Sequence, residues 1–257
     1  MKAECSRVFL SWRFPAAVLL SAVFGILDIL TYYNYSYGSV VELYSLKSGG
    51  WGLLFMLSLT VCTMPGVLGI CEDKAHGLLV TALPRFGIVR YAACKTTICA
   101  ISSFLASILG DLLFSLAAFF IGSGEFISDS FIQSYVMAMD FFLLKGGHGL
   151  LHYLALLVFY GLRVSFYALL SLVISAFLKN KYAVLALPVV LYYALINFTY
   201  YIIKFPEIID PFRVYFNYTL FMGDERKGTG YALVYTLAVG IAAAVILSFV
   251  TRRRAKS

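Results

Sequence analysis

The chain has 257 residues, 61% hydrophobic and 13% charged, with mean hydropathy +0.88. Soluble domains carry about 45–50% apolar and about 25% charged residues, so composition excludes a soluble enzyme or binding domain and points to lipid as the solvent. The net charge of +7 does not signal nucleic acid, because the basic residues lie in short clusters beside apolar runs rather than along a phosphate-binding face.

The first 13 residues set Lys2, Arg7, Trp12 and Arg13 among apolar positions, and an apolar run follows. A basic start before an apolar run resembles a secretory leader, but no small-residue cleavage pattern follows, and the run reaches membrane length, so it reads as a retained span. Six such runs occur, at 14–33, 51–71, 96–121, 150–178, 183–203 and 231–250. Each supplies the roughly 20 residues that cross a core of about 30 Å at about 1.5 Å rise per residue. The fourth is long enough to tilt or to begin with an interfacial turn. The runs lack period-2 alternation, which favours helices over a barrel. The fold expected is an all-α integral membrane protein of six transmembrane helices, forming one domain over 1–257. The five cysteines all fall in the N-terminal half, none in a segment placed outside, so no disulfide framework is expected.

Orientation follows from Lys and Arg in the connecting segments. With the N-terminus inside, inner segments hold 13 of them and outer segments hold six, while acids are distributed eight outside, three inside and two within spans. That bias predicts both ends in the cytoplasm. Lys47 is one of the six assigned outside.

Charges within spans are costly, about 2.5–3.5 kcal/mol each at the helix centre on insertion scales. Asp111 and Arg163 are the two deepest, about 15 Å and about 20 Å from the outer ends of their runs at helical rise. A buried ion pair between the third and fourth spans is therefore expected, either structural or lining a path, with no contact between the two as the remaining alternative. Asp28 lies near the outer end of the first run. His148 and His152 stand four apart, on one helical face, and with an acid such as Asp140 could begin a zinc site in an intramembrane metal-dependent enzyme; no third ligand is evident. Tyr193 and Asn197, also four apart, share a face that either belongs to an interfacial aromatic belt or lines an amphipathic path.

The segment between the second and third runs reads CEDKAHGLLVTALPRFGIVRYAACKTT. By its own chemistry it is a basic interfacial loop, or a short amphipathic helix broken at Pro84. The order E-x-x-x-x-G-L-L-x-x-x-L-P-R, followed by R-Y-x-x-x-K, resembles the signature of type-two ABC exporter permeases. Glu72, Gly77, Leu78, Leu79, Leu83, Pro84, Arg85, Arg90 and Lys95 match by position; the family's usual Thr after the glycine is Leu78 here. The resemblance implies an N-terminal amphipathic connecting helix over 1–13, a cytoplasmic coupling helix within 72–95, and short outer re-entrant helices within 204–229. It implies that Glu72, Gly77, Leu79, Pro84, Arg85, Arg90 and Lys95 couple the chain to a separate ABC ATPase subunit. The chain contains no G-x-x-x-x-G-K-[ST] sequence, so ATP and Mg would be held by that partner and this chain would carry no cofactor. A second permease copy, identical or a close paralogue, and membrane lipids complete the expected partners; nucleic acid does not. A hydrophobic or amphipathic cargo, a peptide before a lipid or drug, fits the aromatic, weakly charged runs. A non-catalytic membrane immunity factor is the remaining alternative.

Overall fold

The computed structural model describes residues 2–32, 38–49, 53–75, 87–122, 124–129, 142–178, 180–198, 206, 208–216 and 225–254. Every regular element among them is a helix: α1 Lys2–Phe9, α2 Arg13–Tyr32, α3 Val40–Gly49, α4 Leu53–Val67, α5 Gly69–Ala75, α6 Ile88–Ile121, α7 Phe142–Lys145, α8 Gly149–Ser175, α9 Lys181–Asn197, α10 Pro211–Phe216 and α11 Glu225–Arg254. The end of the bundle that bears α1 is termed lower, and the opposite end upper.

Among the described residues, five stretches are long and apolar enough to cross a membrane: Arg13–Thr31, Leu54–Asp73, Ile88–Ile121, Gly149–Ser175 and Lys227–Arg253. They coincide with five of the six apolar runs. The run at 183–203 corresponds to α9, an apolar helix of 17 residues. The second crossing is α4 and α5 together, interrupted at Leu68 just after Pro65 and Gly66. A proline removes the backbone donor to the carbonyl four residues earlier, so Pro65 loosens the turn before it, and the interruption itself falls at Leu68 just past Gly66.

Helix α6 is longer than its apolar run. Its 34 residues span about 51 Å at helical rise, well beyond the membrane core, and the excess lies at the lower end. Residues 88–95, which the sequence placed in a loop, are its first two turns. Gly87 precedes it at φ 74°, a left-handed conformation that glycine adopts without strain.

Helix α8 is central, packed against α4, α6, α9 and α11 and buried on almost every face. A helix apolar all round belongs in such a position. Helix α11 is peripheral and exposes Leu233, Val234, Leu237, Ile241, Val245 and Phe249. Hydrophobic burial gives little preference for protein over lipid, so the interior is closed by small residues and hydroxyls. Ser21 of α2 bonds Ser58 of α4 across 2.9 Å. At Gly66, an added Cβ would sit 2.7 Å from the Cys99 Cα of α6. Only a hydrogen fits between those two backbones, which sets how closely α4 and α6 approach. None of the five cysteines is in a disulfide.

Replacing Gly66 by Val forces α4 and α6 apart. The overpacking should cost at least about 1–3 kcal/mol, read as a lowered thermal unfolding midpoint of the purified chain, whereas Gly230→Ala, which meets nothing within 4 Å, should leave the midpoint in place.

Candidate functional site

Two groups of charged side chains organise the molecule, one at the lower end and one at mid-depth. The lower group starts from α1, where Glu4 and Arg7 are i,i+3 neighbours on one face, 3.7 Å apart. That face turns toward the end of the second crossing. Arg7 donates to Asp73 and, at 3.1 Å, to Glu72. Arg13, at the start of α2, pairs with the other oxygen of Glu72. Lys95 of α6 donates to Glu4 and to Asp73, each at 2.7 Å. The Tyr91 hydroxyl donates to Asp73 at 2.6 Å, and the Lys95 ammonium lies 5.7 Å from the Tyr91 ring centroid.

The result is a closed, charge-balanced network of Glu4, Glu72 and Asp73 against Arg7, Arg13 and Lys95. Asp73 is its hub, buried and accepting from Arg7, Lys95 and Tyr91. Burial by itself opposes the Arg7 charge, but the hydrogen bond and charge of Asp73, aided by Glu4 and Glu72, leave its pKa raised. Arg7 therefore stays cationic at any pH the protein meets.

Glu72 and Lys95, the two ends of the expected coupling segment, are thus joined through α1 and Asp73. Gly77, Leu79, Pro84 and Arg85 lie outside the described residues. Arg90 is exposed on the first turn of α6 and takes no part in the network. Glu4, Arg7, Arg13, Asp73 and Tyr91 were missed as site residues. The signal available was that all three acids assigned inside, Glu4, Glu72 and Asp73, lie in the two inner segments that also carry Arg7, Arg13 and Lys95.

The second group corrects the expected pairing of Asp111 with Arg163. The ion pair on Asp111 is made by Lys47 of α3, and the Tyr44 hydroxyl donates to its other oxygen at 3.1 Å. Tyr44 and Lys47 stand i,i+3 on α3, so one face of a short helix supplies both. Lys47 is 2% exposed and Asp111 0%, so this lysine of the segment between the first two crossings is buried against the bundle. The backbone amides of Val40 and Val41 donate to the carbonyls of Glu125 and Phe126, beyond the upper end of α6. Helix α3 therefore starts at the upper rim and dips inward. The Lys47 stem descends past Gly25, where an added Cβ would meet the Lys47 Cε at 2.8 Å, and its ammonium lies 4.5 Å from the Phe114 ring centroid.

Arg163 of α8 sits between two rings, 4.7 Å from the Phe55 centroid and 4.6 Å from that of Tyr160. Its charge still bears on Asp111 from there. Guanidinium over aromatic faces is a favourable arrangement for a desolvated cation.

His148 is exposed just before α8, while His152 is buried at 1%. No group of three His, Cys, Asp or Glu among the described residues is placed to hold a metal, and Asp140 lies outside the described residues. Tyr193 and Asn197 are both exposed on α9, and the Asn197 amide donates to the Tyr193 carbonyl at 2.8 Å. Their neighbour Tyr192 is instead wholly buried, within a cluster that includes Phe55 and Tyr167. At the upper end, Tyr231 and Tyr235 of α11 donate to the carbonyls of Ile208 and Ile209 at 2.7 and 3.1 Å. Tyr215 and Thr236 hydroxyls meet at 2.6 Å. These three contacts fasten α10 and its approach to α11. Of the short outer helices expected within 204–229, α10 is described; 204, 205, 207 and 217–224 lie outside the described residues, and 225–229 begin α11.

No protein-family model, curated protein or solved structure matches the chain. The class that fold and site define is a multi-pass helical membrane protein with five long apolar crossings.

Lys47→Met leaves a carboxylate without its counter-ion in the bundle. The expected loss is about 3–5 kcal/mol, measured as unfolding in detergent. Adding Asp111→Asn should recover most of it, because removing both charges ends the desolvation cost; a double variant as unstable as the single one would contradict the pairing.

Proposed function

We propose that the chain is the membrane subunit of an ABC exporter, crossing the bilayer six times with both ends in the cytoplasm. The reading is supported chiefly by the lower network. It joins Glu72 and Lys95, the two ends of the segment that resembles the family signature, to an amphipathic N-terminal helix through balanced ion pairs. In this reading α9 belongs to the fifth crossing, and the segment 72–95 is the coupling element.

ATP and Mg are bound by a separate ATPase subunit. Its closure presses on the coupling element, and the network passes that displacement to α1, α2, α5 and α6 together. Two permease copies, identical or paralogous, enclose the path and alternate between inward- and outward-accessible arrangements. The cargo is hydrophobic or amphipathic, with a peptide preferred, and Tyr193 and Asn197 stand on an exposed face suited to line its route. This chain performs no chemical step; its charged groups transmit force.

The ATPase encoded beside the chain should co-purify with it and hydrolyse ATP faster in its presence. Arg85→Glu should weaken that association at least roughly tenfold. Asp73→Asn should leave association intact and reduce stimulation, because it cuts the hub and not the contact. An ATPase that neither binds nor responds to the chain would defeat the reading. A fluorescent reporter fused at the C-terminus should be active in the cytoplasm, and an alkaline phosphatase fusion at Asp129 should be active outside; the reverse pattern would refute the orientation.

A further inference from the structure

The lower network divides the basic residues of that end into two sets. Arg7, Arg13 and Lys95 are neutralised by Glu4, Glu72 and Asp73, which are all the acids the described lower end possesses. Arg90, Lys181, Arg252 and Arg253 are exposed and make no ion pair among the described residues. The rim of the lower end therefore presents cations with no uncompensated carboxylate beside them.

Those cations lie next to exposed apolar groups. Leu10 is 83% exposed, Trp12 70% and Val89 73%, all where α1, α2 and α6 meet the lower rim. The Arg253 guanidinium lies 4.5 Å from the Phe249 ring centroid, one turn back along α11, and Phe249 is itself exposed. The lower ends of α6 and α11 are held in one apolar cluster by Ala92, Cys99, Leu172 and Leu247. Arg90 and the Arg252–Arg253 pair thus belong to the same end of the same packed unit. Basic heads above exposed aromatic and aliphatic groups form the pattern of a membrane–water boundary, where apolar parts enter the acyl region and cations stay at headgroup depth.

We infer that this rim is a binding surface for the phosphate headgroups of anionic phospholipids, with Arg90, Arg252 and Arg253 as the headgroup contacts and Leu10, Trp12 and Val89 as the part seated among acyl chains. The inference goes beyond the exporter reading and does not rest on it. A soluble protein partner is less well matched, because it would leave Trp12, Leu10 and Val89 in water. Near an anionic surface each basic residue contributes about fivefold in affinity, so three together contribute roughly a hundredfold.

The test uses the full chain in nanodiscs of phosphatidylcholine, alone or mixed with phosphatidylglycerol. Native mass spectrometry reads the lipid retained, and thermal unfolding reads its effect. Phosphatidylglycerol should be retained selectively and raise the unfolding midpoint, and added salt should diminish both effects. The combined Arg90→Gln, Arg252→Gln, Arg253→Gln variant should lose about a hundredfold in apparent affinity while unfolding normally in phosphatidylcholine. Lys227→Gln, a charge removed at the opposite end, should change neither. If the triple variant does not fold, Arg253→Gln alone should lose about fivefold. Equal retention of the two lipids, or a triple variant that retains phosphatidylglycerol like the parent, overturns the inference. So does a triple variant that, in the mixed discs, loses the ATPase encoded beside the chain while retaining phosphatidylglycerol, since the surface would then belong to a protein.

Discussion

A charge inside a bilayer must be answered within the protein, and the upper half of this molecule is arranged around one such answer. Asp111 lies on α6 at a depth water does not reach, and its counter-ion comes from α3, a helix too short to cross. Holding Lys47 there requires α3 to descend between the upper ends of α2 and α6. That in turn requires Gly25 on α2, because any side chain would collide with the lysine stem. Tyr44, Phe114 and Tyr153 then pack around the pair, with Tyr44 and Tyr153 edge to face at 5.4 Å. The ion pair need not add stability over an apolar pair of the same shape. It makes α3 hard to place anywhere else, because any other position strands two charges in lipid.

The lower network works in a different electrostatic regime. The side chains of Glu4 and Arg7 are 28% and 33% exposed, so water and salt weaken each of their contacts. Its strength lies in connectivity. Asp73 and Lys95 are buried within it, and their remaining valences are met by partly exposed groups from α1 and α6. Removing one exposed member leaves the others bonded, whereas removing Asp73 takes a partner from Arg7, Lys95 and Tyr91 at once. A network with a buried hub and a hydrated rim can be displaced as a unit without exposing a bare charge at any stage.

The crossings were legible because continuous apolar runs have few alternative uses in a chain of this composition, and their boundaries moved mainly where charges continued a helix. Helix α6 extends two turns below its apolar run because Arg90, Tyr91 and Lys95 are compatible with a helix that leaves the membrane; hydropathy marks where lipid ends, not where a helix does. Helix α3 was not legible in the same way. The segment VVELYSLKSG is too short and too polar for a crossing, and a count of charges by connecting segment says nothing of whether its lysine is buried. The available signal was finer, since Val40, Tyr44 and Lys47 recur at helical spacing with Glu42 off that face. Depth matching chose Arg163 for Asp111 because it compared only charges already placed in spans. The partner was a residue whose own helix enters from the rim.

The two charged groups share one element. Lys95 and Asp111 lie 16 residues apart on α6, a helix without proline or interruption between them, which puts them about 24 Å apart along a single rod. Gly66 brings the α4 backbone against α6 at Cys99, between the two, and Gly110 admits Ser21 of α2 beside Asp111. Contacts this close leave α6 little room to bend, so a displacement imposed at Lys95 is carried upward as a tilt or shift of the whole helix. Asp111 is tied to α3 through Lys47 and Tyr44, and α3 is tied by its backbone bonds to residues 125 and 126, just beyond α6, so a shift of α6 bears on both ends of that contact. A lysine stem can follow such a movement over a few ångströms by changing rotamers, and a Tyr hydroxyl cannot. The Lys47 contact is therefore the compliant half of the upper centre and the Tyr44 contact the stiff half, and the geometry of Tyr44 limits how far the lower end can move before the upper centre must rearrange.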